Sequence, residues 1–250
     1  MFSFFKKKPA LCPVDQETHE WMGQAFSWLW DEFGNETVLG KKILLPDFEH
    51  FPIVYNGEEQ AAFDSLDIVA RQMEVDPHEI QLDFYLEGIS EVGAGGIGGS
   101  KFFVNSEKDA KKSSGLYHGK QEDGKYHISL EKKNLTDPVF LVATLAHEIA
   151  HIKLLGEEWL NKNNESLTDL TTIIFGLGIF NANASFRFST GFDQWGYRKI
   201  GYLTQIEWGY ALALYSFLMR NEPDPKWINL LSETVRGNFR RGVLYMKGLQ

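Results

Sequence analysis

Apolar residues recur with a helical period at both ends of the chain and with a period of two in the middle. Over residues 15–33, Trp21, Met22, Ala25, Phe26, Leu29 and Phe33 fall on one face of a helix that Gly34 and Asn35 would end. A loop with Pro46 and Pro52 follows. A second helix over 57–73 then turns Ala61, Ala62, Leu66, Val69, Ala70 and Met73 inward, and Asp76-Pro77 breaks the chain. Next, Ile80, Leu82, Phe84 and Leu86 alternate with Gln81, Asp83, Tyr85 and Glu87, the pattern of a half-buried strand. Residues 101–104 predict a short strand. Residues 115–119 and 125–130 predict a hairpin across Gln121-Glu122-Asp123-Gly124.

Helical spacing returns at Pro138. One helix is expected over 138–155, capped by Thr136 or Asp137, with Pro138 in its first turn and Gly156 as its stop. Another runs from about Asn164 to about Ala182. Thr204 and Glu207 read as a capping box before a helix over 206–220. Asp224-Pro225 opens a last helix through Trp227, Leu230, Leu231 and Val235. Helices, then a small antiparallel sheet, then more helices make an α+β fold, mostly helical, rather than alternating α/β. The 250 residues suit one domain in three parts: helical over 1–75, a core over 76–185, and helical over 186–250.

Composition narrows the class. Hydrophobic residues make up 43% and charged residues 24%, which excludes a mostly disordered chain. The formal net charge of −9 argues against nucleic-acid binding, because phosphate contacts dominate that affinity. A single cysteine, Cys12, leaves no intramolecular disulfide and no cysteine-rich zinc finger. The start Phe2-Ser3-Phe4-Phe5-Lys6-Lys7-Lys8 puts its charges after a short apolar run, the reverse of a secretory signal. It is also compatible with an amphipathic tip that touches a membrane surface. The most apolar later stretch, 172–180, is too short to span a bilayer. The expectation is a cytoplasmic protein without a transmembrane segment.

The chemistry is concentrated in Ala146-His147-Glu148-Ile149-Ala150-His151. His147 and His151 are four apart, so a helix stacks both imidazoles on one face, close enough to share a zinc ion. Glu148 lies one residue round, where its carboxylate could take a proton from a zinc-activated water. Leu141, Val142, Leu145, Ile149 and Ile152 make this a buried helix. Two histidines and a glutamate are costly there unless something pairs them. A catalytic zinc needs a third protein ligand. Glu165 on the following helix is the candidate. Asp169 shares its face and would hydrogen-bond the distal nitrogen of a zinc histidine.

His147-Glu148-x-x-His151 followed by Glu165-x-x-x-Asp169 resembles the gluzincin clan of zinc metallopeptidases, in particular its compact minigluzincins. The stretch 141–188 is also similar to an uncharacterised bacterial protein family. The resemblance covers about a quarter of the chain, roughly 126–182. It implies two histidine ligands, Glu148 as general base, Glu165 as third ligand and Asp169 behind a histidine. It also implies strands before the metal helix, one of them an edge strand that pairs with an extended peptide; 125–130 is the candidate. Only 13 residues separate His151 from Glu165, fewer than in thermolysin-like enzymes, so a tight connection over 156–163 must swing the second helix back. Glu157 competes as third ligand at the metzincin offset, although Leu154 stands where those proteins need glycine.

Other features are weaker. Gly93-x-Gly95-x-x-Gly98 matches the dinucleotide fingerprint, but no helix follows to receive a pyrophosphate. The glycine run over 93–99 reads instead as a loop, and as a lid if it lies over the metal. Tyr202 is the candidate for stabilising an oxyanion, with Tyr197, Arg198 and Tyr210 behind it. His78 and His118 read as surface residues, and His127 could face either way. Trp208, Tyr210, Leu212, Leu214, Tyr215 and Leu218 read as a buried helix. The leading expectation is a zinc-dependent metallohydrolase acting on a peptide or protein substrate. The alternatives are a zinc-binding regulatory protein whose flanking helices hold a protein partner, and a zinc that only staples two helices, with Glu157 as fourth ligand.

Overall fold

The computed structural model describes residues 10–85, 115–157, 159–160, 162–189 and 203–249. The architecture is α+β, with seven α-helices and a three-stranded sheet among the described residues. Helix α1 (Gln16–Gly40) starts where the Asp15 carboxylate accepts the Thr18 amide at 2.8 Å. The expected stop at Gly34 is a kink (φ 74°), after which helical turns run on to Gly40. Helix α2 (Glu59–Gln72) buries Ala61, Ala62, Leu66, Val69 and Ala70, as its periodicity requires.

Strands β1 (Ile80–Tyr85), β2 (Gly115–Lys120) and β3 (Tyr126–Glu131) form a sheet in the order β1-β3-β2. The hairpin is antiparallel as expected, but β1 runs parallel to β3, with Ile80 opposite Tyr126 and Tyr85 opposite Glu131. The sheet is therefore mixed, not antiparallel. Apolar alternation specifies which face of a strand is buried and carries no strand direction. A second correction follows. The strand expected over 125–130 as an edge is the central one, and β2 is the edge beside the helices among the described residues. The strand expected over 101–104 and the glycine run over 93–99 lie outside the described residues.

Helix α3 (Pro138–His151) is capped by Asp137, whose carboxylate accepts the Phe140 amide at 3.3 Å, and every residue from Phe140 to His151 is buried. It continues as one π-turn, Ile152–Gly156. The single helix expected up to Ala182 is two helices, α4 (Glu165–Ile174) and α5 (Gly178–Ser189). The break is at Gly176, whose φ of 76° suits glycine. Its carbonyl accepts the Leu44 amide at 2.9 Å, and a side chain there would run into the Lys42 carbonyl. Helix α6 (Gln205–Leu214) carries the expected capping box and ends in a π-turn, Tyr215–Met219. The last expected helix is also divided. A 3-10 segment, Lys226–Leu230, is followed by extended backbone and then α7 (Glu233–Lys247).

Helix α3 sits at the centre, packed by α2, α4, α5 and β2 around one contiguous apolar core. Among the described residues, Pro138–Gly156 is the one helix long and apolar enough to cross a membrane, at a mean hydropathy of 1.4; the stretch 172–180 is too short to qualify. The 138–156 helix is apolar all round because 83% of it is buried inside the fold.

Candidate metal centre

His147 and His151 sit on successive turns of α3, their ring centroids 4.9 Å apart. Helix α4 crosses in front of them. Asn164 caps it by accepting the Leu167 amide at 3.1 Å, which sets Glu165 in the first turn, facing α3. One oxygen, Glu165 Oε2, lies 3.0 Å from His147 Nε2 and 3.4 Å from His151 Nε2. The other, Oε1, accepts the Asn163 amide at 2.7 Å. The donor atoms of the three residues all lie within 4.8 Å of one another, and this is the one group of its kind among the described residues. It could hold a metal ion.

The outward nitrogens of the histidines are engaged as well. Asp169 Oδ1 is 3.1 Å from His147 Nδ1, and Asp169 Oδ2 accepts the Leu203 amide at 3.1 Å. An aspartate on Nδ1 keeps the proton there and leaves Nε2 with a lone pair for a metal. Thr168 Oγ1 donates to the Asn164 carbonyl at 3.0 Å and lies 3.5 Å from His151 Nδ1, so its oxygen is turned to accept from that ring. Tyr117 on β2 stacks over His151, 5.8 Å between centroids and 12° between planes. A methyl group at Gly115 would lie 2.5 Å from Thr144 Cγ2 and 3.0 Å from Glu148 Oε1, so β2 is seated directly on α3.

The site separates its two carboxylates electrostatically. Burial of Glu148 raises its pKa, against the pull of His147 and His151. Burial also acts to raise Glu165, but its hydrogen bonds to the two histidines outweigh that and hold it well below the usual carboxylate range. Burial opposes a charge on His147, yet Asp169 and then Glu165 carry its pKa well above the ordinary imidazole value. Burial pushes the Tyr117 hydroxyl up to about 12.

His147, Glu148, His151, Glu165 and Asp169 thus come together. Glu157 does not join them: Lys153 Nζ, at 2.9 Å, and Trp159 Nε1, at 3.3 Å, donate to its two oxygens. Tyr202, Tyr197 and Arg198 lie outside the described residues. The Tyr210 hydroxyl meets His19 Nδ1 at 2.6 Å instead of this centre. His127 faces Asp83 at 3.3 Å and Asp123 at 2.9 Å. His118 is half-buried and meets Ser129 Oγ at 2.9 Å, not solvated as expected. Sequence reasoning missed Gly115, Tyr117, Asn163, Thr168 and the Leu203 amide. Asn163 and Thr168 adjoin residues already singled out, so the helix register alone could have found them. No protein-family model, curated protein or solved structure matched this chain when each was searched.

Proposed function

We propose that the protein is a zinc-dependent metallohydrolase acting on peptide bonds. The observation that carries the reading is one oxygen of Glu165 shared between the Nε2 atoms of His147 and His151, with Asp169 fixing the far side of His147. Two imidazole nitrogens and a carboxylate oxygen suit zinc better than a hard oxygen-seeking cation. When bound, zinc supplies Lewis acidity that polarises a carbonyl and makes water acidic. Glu148, whose raised pKa fits a proton acceptor, takes the proton of the attacking water on its carboxylate and passes it to the leaving amine. Asp169 holds the His147 ring, and Asn163 orients the Glu165 carboxylate. β2, an edge strand of the sheet among the described residues, is the one against which an extended peptide would pair.

The test is metal content by mass spectrometry on wild type, His147→Ala and Glu165→Ala, followed by peptide-library cleavage. About one zinc per chain, lost in both variants, with cleavage by wild type supports the reading. No metal in any sample, even with zinc supplied, overturns it. A second reading rests on Glu148 being only 3% exposed, with Gly115 of β2 seated against its carboxylate. On that reading the chain binds zinc as a regulatory protein and cleaves little. It predicts stoichiometric zinc without turnover.

A further inference from the structure

We infer that the outer face of α7 docks this end of the molecule onto an anionic lipid bilayer. The helix buries Val235, Asn238, Phe239, Gly242, Val243 and Met246 against the fold. At about 100° per residue, Arg236, Lys247, Arg240 and Arg241 spread over about 140° of the opposite arc, with Leu244 near its middle. Among the described residues none of these four cations forms an ion pair. The one acid of α7, Glu233, lies in its first turn. A chain of net charge −9 therefore presents a helix with four cations and one anion. A water-facing helix has no need of leucine at the centre of its charged arc, yet Leu244 is 58% exposed. Leu249, just beyond the helix end, is 65% exposed.

Cations around exposed leucines are the pattern of a helix that lies in a membrane interface, the side chains sinking into the headgroup boundary while the charges meet anionic lipids. Nucleic acid would use the cations and leave the leucines without a partner. The N-terminal chain reaches the same end of the molecule. His19 meets the Tyr210 hydroxyl at 2.6 Å and packs edge-on against Tyr245 of α7. Leu11, in the segment that leads into α1, is 81% exposed. The start of α1 meets α7 through His19 on the Tyr245 side, about 140–160° round from Arg240 and Lys247 and about 40° from Arg241. This inference does not depend on the metal centre.

The test is sedimentation of the full chain with vesicles of phosphatidylcholine alone and of phosphatidylcholine with phosphatidylserine, at low and physiological salt. The expected result is retention on the anionic vesicles only, declining with salt. R240E/R241E should weaken it about tenfold or more, and L244S several-fold. All three side chains face solvent, so circular dichroism melts should match wild type. R240Q/R241Q serves if the reversal disturbs the helix. Absence of retention at low salt, or equal retention of wild type and folded variants, overturns the inference. So does charge-dependent binding to a duplex DNA oligonucleotide without vesicle binding.

Discussion

Glu148 and Glu165 face the same two histidines from environments that drive them apart. Glu165 is held as an anion by hydrogen bonds to both rings, whereas burial raises Glu148. On the proposed hydrolase reading, this separation leaves Glu165 to hold charge and Glu148 to move a proton. Glu148→Gln should keep the metal and lower kcat by roughly 10²–10⁴-fold, read by metal analysis beside peptide cleavage. His147 gives a second prediction. Its pKa is raised by Asp169 and Glu165 over the opposing effect of burial, and a metal must displace the proton from that ring. Metal affinity should therefore climb with pH through and beyond the ordinary imidazole range, in chelator competition. The metal-free fold should behave in the opposite sense. A raised folded-state pKa contributes stability below the unfolded value and loses it as pH rises through the folded one. Asp169→Asn removes the main support of that shift and should weaken metal binding by about 10–100-fold.

At the scale of elements, the site depends on β2 lying flat on α3. Gly115 permits the contact, since even a methyl there would overlap the Thr144 methyl and press on Glu148. Gly115→Ala should cost about 1–3 kcal/mol, seen as a lower urea midpoint at unchanged slope, and should disturb Glu148 as well. The residues of the cluster were legible in the sequence because each pair is local: His147 with His151, and Glu165 with Asp169, which supports His147, four apart on a helix. Asn164 and the Thr204–Glu207 box were legible for the same reason. What sequence could not give is set by distant contacts. The break at Gly176 answers to the backbone of Lys42 and Leu44, and no helical period records it. The direction of β1, the edge position of β2 and the stacking of Tyr117 on His151 are pairings between segments far apart in the chain. Alternation of apolar residues is the same for either strand direction and either place in a sheet.

For the whole molecule, a metal held at this centre would couple to the fold. The residues that could hold it come from α3 and α4, both built into the same core and joined by 13 residues between His151 and Glu165. A metal bound only by the native arrangement stabilises it by about 2.7 kcal/mol when free metal is a hundredfold above Kd. In a chain of this size that corresponds to a rise in Tm of roughly 5–10 °C. Chelator should remove that rise in wild type and leave His147→Ala unaffected. Glu148→Gln separates the two readings of the site. On the hydrolase reading it keeps the full chelator-sensitive rise in Tm while losing turnover, because Glu148 moves a proton and holds no metal. If instead Glu148→Gln loses the rise together with the metal, Glu148 belongs to the ligand set or to its support, and the division of labour between the two carboxylates is wrong.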